Sequence, residues 1–158
     1  MMYVFDTNSL SNVLHHYYFQ RFPTFWVKFY QLIDDQKIVS VREAKHELEE
    51  RFDKDVMSKL TDHNPAFFAI PSVAELEFVR AIYGVPHFQE NLEKKKLLKG
   101  GYLADPFIIA KAQLGPDGTV VSEESLMPGA AKIPNICQHF GVGCEKLEGF
   151  LTKENWTF

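Results

Sequence analysis

The chain has 158 residues, a length typical of one globular domain. Hydrophobic residues make up 46 % of it and charged residues 24 %, which argues against an intrinsically disordered chain or a fibrous repeat. The formal net charge is −4, and a net acidic chain does not attract nucleic acid through its overall charge. Nucleic-acid binding would therefore require a local basic patch or bound cations.

The sequence contains no candidate membrane anchor or export signal. No stretch approaches the ~18 apolar residues of a membrane-spanning helix. The first residues, MMYVFDTN, do not have the pattern of a signal peptide. Two cysteines, Cys137 and Cys144, are too few for a disulfide framework, so we expect reduced thiols. These features predict a cytoplasmic protein with no membrane partner.

Short apolar runs alternate with helical patterns in the first two thirds of the chain. A strand is predicted at Met2–Phe5, followed by a polar turn and a helix. An aromatic helix is predicted over Thr24–Leu32. A second strand at Lys37–Val41 precedes a charged helix over Arg42–Phe52. The stretch from about 55 to 99 has a helical pattern and predicts a helical arm.

The last third of the chain continues the alternation. Asp105 and Pro106 open an apolar helix that Gly115 ends, and a buried strand is predicted at Thr119–Ser122. A short helix from Ile133 and a last strand near residues 144–147 follow. Because parallel neighbouring strands need crossover connections, this order predicts an α/β fold with a mostly parallel sheet in one domain, residues 1–158.

Carboxylates stand after several of the predicted strands. Asp6 follows the first strand, Glu47 lies on the helix after the second, Asp105 opens a later helix, and Glu123 and Glu124 follow the strand near residue 120. In open α/β sheets, sites gather at the carboxyl ends of the strands. Hard cations such as Mg²⁺ or Mn²⁺ take carboxylate oxygens as ligands and activate water. The set therefore predicts metal-dependent hydrolysis of a phosphodiester.

Each of these residues also has a structural interpretation. Asp6 and Asp105 stand where helix N-caps belong. Glu43 and Glu47 are one turn apart on a charged helix whose face is typical of a solvated surface. His46 is expected to face away from the acids, because adjacent helical residues point about 100° apart. The hypothesis of a site therefore depends on the set and not on one residue.

Four segments resemble the signature segments of the PIN-domain nucleases, in the same order. They are YVFDTNSL at 3–10, VSVREAKHEL at 39–48, ADPFIIAKA at 104–112 and VVSEES at 120–125. Together with KIPNICQHFGVGCEKLEGFL at 132–151 they resemble the DUF4411 branch of that superfamily. The resemblance implies a PIN-like, Rossmann-like three-layer α/β/α sandwich. It also implies a Mg²⁺- or Mn²⁺-dependent site that cleaves single-stranded RNA.

The resemblance assigns roles to particular residues. Asp6, Glu47 and Asp105 are implied to hold the metal, with Glu124 as an outer ligand or as the residue that orients the attacking water. Asn8 is implied to hold the aspartate or a metal-bound water. Glu43 competes with Glu47 for the position of the second acid, and we favour Glu47.

The fourth segment departs from the family pattern. Where the family has Thr-x-Asp after the strand, this chain has Ser122, Glu123 and Glu124. Glu124 therefore takes the position of the aspartate with one additional methylene, and Glu123 is the alternative. The longer side chain leaves open whether one metal ion or two are bound.

A run of lysines precedes Asp105 and is the densest positive patch of the chain. We predict that these lysines guide an RNA backbone toward the acids. The alternative is a solvated helix end whose cations complement the helix dipole. The residues concerned are Lys94, Lys95, Lys96 and Lys99.

Small PIN proteins resemble the VapC-like toxins of bacterial toxin–antitoxin pairs, which implies a protein antitoxin as partner. The aromatic helix around Phe25–Tyr30 is a candidate contact for it if its rings are exposed. A homodimer is compatible with this interpretation. We predict a metal-dependent endoribonuclease acting as a toxin; the alternative is a catalytically weak PIN module that binds RNA or a partner. A phosphatase or DNA nuclease on the same fold stays open, because metal and water do not determine the ester.

Overall fold

The sheet at the centre of the protein has five parallel strands. The computed structural model describes all 158 residues. The strand order is β3-β2-β1-β4-β5, and every neighbouring pair is parallel. The strands are β1 (Met2–Phe5), β2 (Ile38–Val41), β3 (Phe68–Ala69), β4 (Gly118–Val121) and β5 (Gly143–Glu145).

Nine helices accompany these strands, which confirms the prediction of an α/β fold with a parallel sheet. The architecture is consistent with a Rossmann-like three-layer sandwich. The helices are α1 (Thr7–His16), α2 (Pro23–Asp34), α3 (Arg42–Glu49), α4 (Lys54–Thr61), α5 (Val73–Tyr83), α6 (Pro86–Leu98), α7 (Asp105–Leu114), α8 (Ile133–Phe140) and α9 (Leu147–Lys153).

The central strand β1 divides the hydrophobic core into two parts. Successive side chains of a strand point to opposite faces of the sheet. Tyr3 and Phe5 therefore enter one core, where the ring of Phe150 from α9 makes edge contacts with both at centroid distances of 4.8 and 5.2 Å. Met2 and Val4 enter the other core, which α7 and α8 help to build. Burial on both faces explains why β1 is apolar throughout.

The aromatic helix α2 belongs to the first core. Phe25, Trp26 and Phe29 are buried, and the indole N–H of Trp26 donates a hydrogen bond to the carbonyl of Tyr17 at 2.6 Å. The condition set for an antitoxin contact, that the rings be exposed, is therefore not met by these three residues, whereas Tyr30 is half-buried. Of this helix, Val27 is the large apolar residue that stays exposed.

Two elements differ from the sequence-based expectation. The stretch from 55 to 99 is not helical throughout, because Phe68–Ala69 pairs with β2 and forms an edge of the sheet. A two-residue strand is too short to show a period of two. The segment near 144–147 forms a strand only to Glu145 and then the seven-residue helix α9, which the sequence pattern did not predict.

The order of the strands creates a crevice at one point of the sheet. β1 pairs with β2 on one side and with β4 on the other, so successive connections leave in opposite directions there. Phe5 is in register with Val121, and the N–H of Asp6 donates to the carbonyl of Val121 at 3.1 Å. The segments that follow β1 and β4 therefore begin side by side, where open α/β folds bind their ligands.

None of the nine helices combines the length and the apolar character that a membrane crossing requires.

Candidate acidic site at the switch point

Asp6 ends β1 and caps α1. Its Oδ1 accepts the backbone N–H of Ser9 at 2.7 Å, which confirms the N-cap interpretation for this residue. The hydroxyl of Ser9 in turn donates to the carbonyl of Val121 at 2.8 Å and so connects the cap to the end of β4. Hydrogen bonds at the ends of β1 and β4 therefore hold Asp6 in position.

The carboxyl of Asp6 is buried, and burial raises its pKa to about 6. Hydrogen bonding from Ser9 and Ser122 lowers this pKa in part, whereas the charge of Asp105 raises it. Asp6 and Asp105, ninety-nine positions apart, are thus close enough for their charges to interact. Burial with incomplete compensation is typical of functional carboxylates.

Asp105 is the first residue of α7 but does not cap it. The N-cap position is Ala104, and no side chain caps this helix. Oδ2 of Asp105 lies 3.3 Å from Nζ of Lys95. Burial raises the pKa of the Asp105 carboxyl, Lys95 lowers it, and the charges of Glu124 and Glu47 raise it. The cap interpretation is therefore wrong for Asp105, and its carboxylate faces other acids.

Glu47, the residue favoured as the second acid, has a partner for each of its carboxylate oxygens. Its Oε1 accepts the hydroxyl of Thr7 at 2.5 Å, and its Oε2 accepts the ammonium of Lys99 at 2.8 Å. Thr7 was not anticipated, although it follows Asp6 directly and starts α1. This hydrogen bond fixes Glu47 beside the turn that carries Asp6.

Glu43 lies apart from the other acids. It is buried, its Oε1 is 3.5 Å from Nη2 of Arg42, and its Oε2 has no hydrogen-bond partner. Burial raises its pKa, whereas Arg42, a backbone hydrogen bond and His46 lower it. The charge of Glu47 acts on Asp105, whereas the described ion pair of Glu43 is with Arg42.

Glu123 and Glu124 point to different helices. Oε1 of Glu123 accepts the backbone N–H of Leu147 at 2.7 Å, at the start of α9. Oε2 of Glu124 accepts the N–H of Ile133 at 2.8 Å, at the start of α8, and Glu124 raises the pKa of Asp105. Of the two, Glu124 is the one whose charge acts on Asp105.

The two polar residues assigned supporting roles behave differently. Ser122 is buried, lowers the pKa of Asp6, and accepts the N–H of Glu124 at 3.2 Å. Asn8 is exposed, and its Oδ1 accepts the guanidinium of Arg51 at 3.1 Å. Ser122 therefore acts directly on Asp6, whereas Asn8 bonds to Arg51, which lines the same cavity as Glu47 and Lys99.

The lysines at the end of α6 fall into two groups, because helical spacing places them on different faces. Lys95 and Lys99 are one turn apart, lie on one face and contact Asp105 and Glu47. Lys94 pairs with Glu90 on the surface at 3.3 Å, and Lys96 is exposed. Sequence spacing could have grouped Lys95 with Lys99, but it could not identify the acids that they contact.

The donor groups of the site match the chemistry of a hard cation. All are carboxylates, and Asp105 and Glu124 each use one oxygen in the contacts described above. As the side chains stand, no group of three or more carboxylate, imidazole or thiol residues is arranged to hold an ion. Lys95 and Lys99 supply the positive charge instead.

Fold and site together define a Rossmann-like α/β protein with two buried carboxylates, Asp6 and Asp105, of which Asp6 directly follows the central strand β1. Over residues 3–158 the chain matches DUF4411, a domain of unknown function, and it belongs to this family. No curated protein matches the chain, and no solved structure does.

Proposed function

We propose that this protein is an endoribonuclease of the PIN-domain type that depends on Mg²⁺ or Mn²⁺. One observation supports the proposal: Asp6, Glu47, Asp105 and Glu124 come from four separate segments, and the charge of Asp105 raises the pKa of Asp6 while the charges of Glu47 and Glu124 raise that of Asp105. The order of the four signature segments along the chain agrees with this assignment. Collecting buried like charges is unfavourable for folding, which favours a functional origin.

Asp6, Glu47 and Asp105 would hold the cation, and Glu124 would orient the attacking water. A bound divalent cation would stabilise charge on the scissile phosphate and lower the pKa of water. Ser9 and Ser122 keep Asp6 in place, and Thr7 keeps Glu47 in place. Lys95 and Lys99 pair with Asp105 and Glu47, and their release from these pairs would make two ammonium groups available to RNA phosphates.

A second candidate function rests on the same two lysines. Their ion pairs compensate Asp105 and Glu47 without a metal. A catalytically weak PIN module that binds RNA or a protein partner would need no more than this. Calorimetric titration with Mg²⁺ and Mn²⁺ separates the two functions, because a binding module would give no saturable heat that depends on Asp105.

The test of the proposed function is cleavage by the purified protein. Total RNA, single-stranded DNA and a phosphate monoester are incubated with the protein in Mg²⁺, in Mn²⁺ and in EDTA. We expect metal-dependent cleavage of RNA that D105N abolishes while the variant stays folded. Cleavage of RNA by D105N at the wild-type rate would refute the assignment of Asp105 to the site. Hydrolysis of DNA or of the monoester without cleavage of RNA would show that RNA is not the substrate.

We further propose that the protein is the toxin of a toxin–antitoxin pair, which rests on the resemblance to VapC-like proteins. Induction in cells with and without the product of the adjacent gene tests this role. Growth arrest that the second protein relieves would support it. Unaffected growth in both cases would remove the toxin role and leave the nuclease proposal standing.

A further inference from the structure

A cavity of about 530 Å³ lies beside the acidic site. It is formed by α3, α5, α6, the loop after α6 and the start of α7, and Glu43 lines it. Its volume falls in the ~300–1,000 Å³ range of small-molecule sites. Neither the carboxylates of the acidic site nor their lysine partners line this cavity.

Glu43 is the unusual residue of this cavity. Its side chain is only 8 % exposed, and one carboxylate oxygen has no partner. Leaving a buried acceptor without a donor is costly, and native proteins rarely tolerate it without a reason. Arg42, at 3.5 Å, is half exposed and satisfies the other oxygen only weakly. Glu43 thus brings to the wall of the cavity a buried acceptor that lacks a donor.

Aromatic groups stand at the mouth of the cavity. The rings of His46 and Tyr102 are stacked at a centroid distance of 5.4 Å and an interplanar angle of 30°. Tyr102 is 55 % exposed and Tyr83 also lines the cavity. Exposed aromatic faces are the platforms on which proteins stack unpaired RNA bases. Arg42 and Lys96 add positive charge at the rim.

The cavity adjoins the acidic site. His46 and Tyr102 also line a neighbouring cavity of about 230 Å³, which contains Glu47 and its partner Lys99. A nucleotide whose base enters the Glu43 cavity would thus have its backbone near Glu47 and Lys99. The two cavities share one stacked pair of rings as their common border.

We infer that the Glu43 cavity binds a guanine base of the RNA substrate and so gives the proposed ribonuclease its base preference. This inference rests on the proposed function. An ionised carboxylate only accepts hydrogen bonds. Guanine presents two adjacent N–H donors on one edge, the ring imino and the exocyclic amino group. Adenine and cytosine place a ring acceptor beside their amino group, and uracil has a single donor between two carbonyls, so each would leave an acceptor facing Glu43.

The test is calorimetric titration of the whole protein with GMP, AMP, CMP and UMP in EDTA. We expect GMP to bind about tenfold or more tightly than the others, and E43Q to remove this preference. Gln offers one acceptor and one donor, so E43Q is expected to bind AMP at least as well as GMP. E49Q, on an exposed position of the same helix, should bind as the wild type does.

A second variant addresses stacking. Y102L replaces an exposed ring, so the fold should be retained, and it should weaken binding of all four nucleotides several-fold. Thermal unfolding of each variant confirms folding. Equal affinity of the wild type for the four nucleotides, or GMP binding by folded E43Q at wild-type strength, would overturn the inference.

Cleavage assays separate this inference from the proposed function. D105N should keep the GMP preference although it does not cleave. GMP preference in a wild-type protein that cleaves no RNA would refute the proposed function alone. Cleavage after every base without preference, unchanged in E43Q, would refute the guanine cavity alone.

Discussion

The ammonium of Lys99 lies 2.8 Å from Oε2 of Glu47 and connects the end of α6 to a buried carboxylate of α3. Replacing Lys99 with Met leaves the charge of Glu47 without its partner. Because Lys99 is 39 % exposed and therefore partly screened, we expect K99M to lose about 1–2 kcal/mol of unfolding free energy in EDTA. Urea denaturation measures this loss.

The same variant tests whether the lysine competes with a divalent cation. Without Lys99, Glu47 is free to bind, so Mn²⁺ should raise the melting temperature of K99M more than that of the wild type. K94M removes an exposed pair with Glu90 and should stay within about 0.5 kcal/mol. An equal response of K99M and the wild type to Mn²⁺ would contradict competition at this position.

The raised pKa of Asp6 predicts the pH dependence of stability. Its ordinary value is 3.8 and its pKa in the folded protein is about 6. The folded state therefore keeps a proton that the unfolded chain loses, and the contribution of Asp6 to stability falls as pH rises from about 4 to 6. D6N has no carboxyl to titrate, so this loss of stability with rising pH disappears. Asn is also a good N-cap residue, so the cap of α1 is retained. At pH 7.5 we expect D6N to be more stable by about 1–3 kcal/mol.

Urea denaturation between pH 4 and 7.5 in EDTA measures this effect. D6N should show a shallower decline with pH than the wild type. D53N provides a matched control, because Asp53 is an exposed N-cap aspartate of α4 and accepts the N–H of Val56 in the same way. A D6N protein less stable than the wild type at pH 7.5 would show that the buried carboxyl is better compensated than its surroundings indicate.

Glu123 and Glu124 form a matched pair of adjacent acids with different roles. E123Q weakens the cap of α9 and should lower stability by about 1 kcal/mol or less, with no effect on metal binding. E124Q removes a charge that faces Asp105, so it should reduce Mn²⁺ affinity and cleavage. Calorimetry with Mn²⁺ compares the two. Equal Mn²⁺ affinities of the two variants would show that Glu124 has no role in metal binding.

Helix α9 holds the first core in place through Phe150. This ring is fully buried and makes edge contacts with Tyr3 and Phe5. F150A should therefore cost about 3–5 kcal/mol through lost burial and the cavity left behind. T152A, on an exposed position of the same helix, should cost less than about 1 kcal/mol. Chemical denaturation checks both, and a small effect of F150A would mean that α9 is not integral to the fold.

Lys96 is an exposed cation beside the Glu43 cavity, and unlike Arg42 it has no described ion pair with Glu43. If it contacts an RNA phosphate, K96Q should weaken binding to all RNA sequences and reduce the slope of log affinity against log salt by about 1. K94Q, one position earlier and paired with Glu90, is the control. Fluorescence anisotropy over a salt series measures the slope. Identical slopes for K96Q and the wild type would show that Lys96 is a solvated surface residue that does not contact an RNA phosphate.

Local sequence patterns predicted most of the fold. The apolar run at β1 and the Asp105-Pro106 start of α7 were correct because each is encoded in consecutive residues. Sequence alone did not reveal β3, whose two residues carry no period, or α9, whose helix is seven residues long. These short elements exist because the sheet edge and the first core stabilise them.

The sequence by itself determined that the chain alternates strands with helices and that carboxylates follow several strand ends. Only the tertiary structure decided which of these acids meet. Glu43 and Glu47 are indistinguishable by helical spacing, yet Glu47 reaches Thr7 and Lys99 whereas Glu43 lines a separate cavity. Residues far apart in sequence become neighbours because crossover connections place distant strands side by side in the sheet. No local sequence pattern predicts which residues meet in this way.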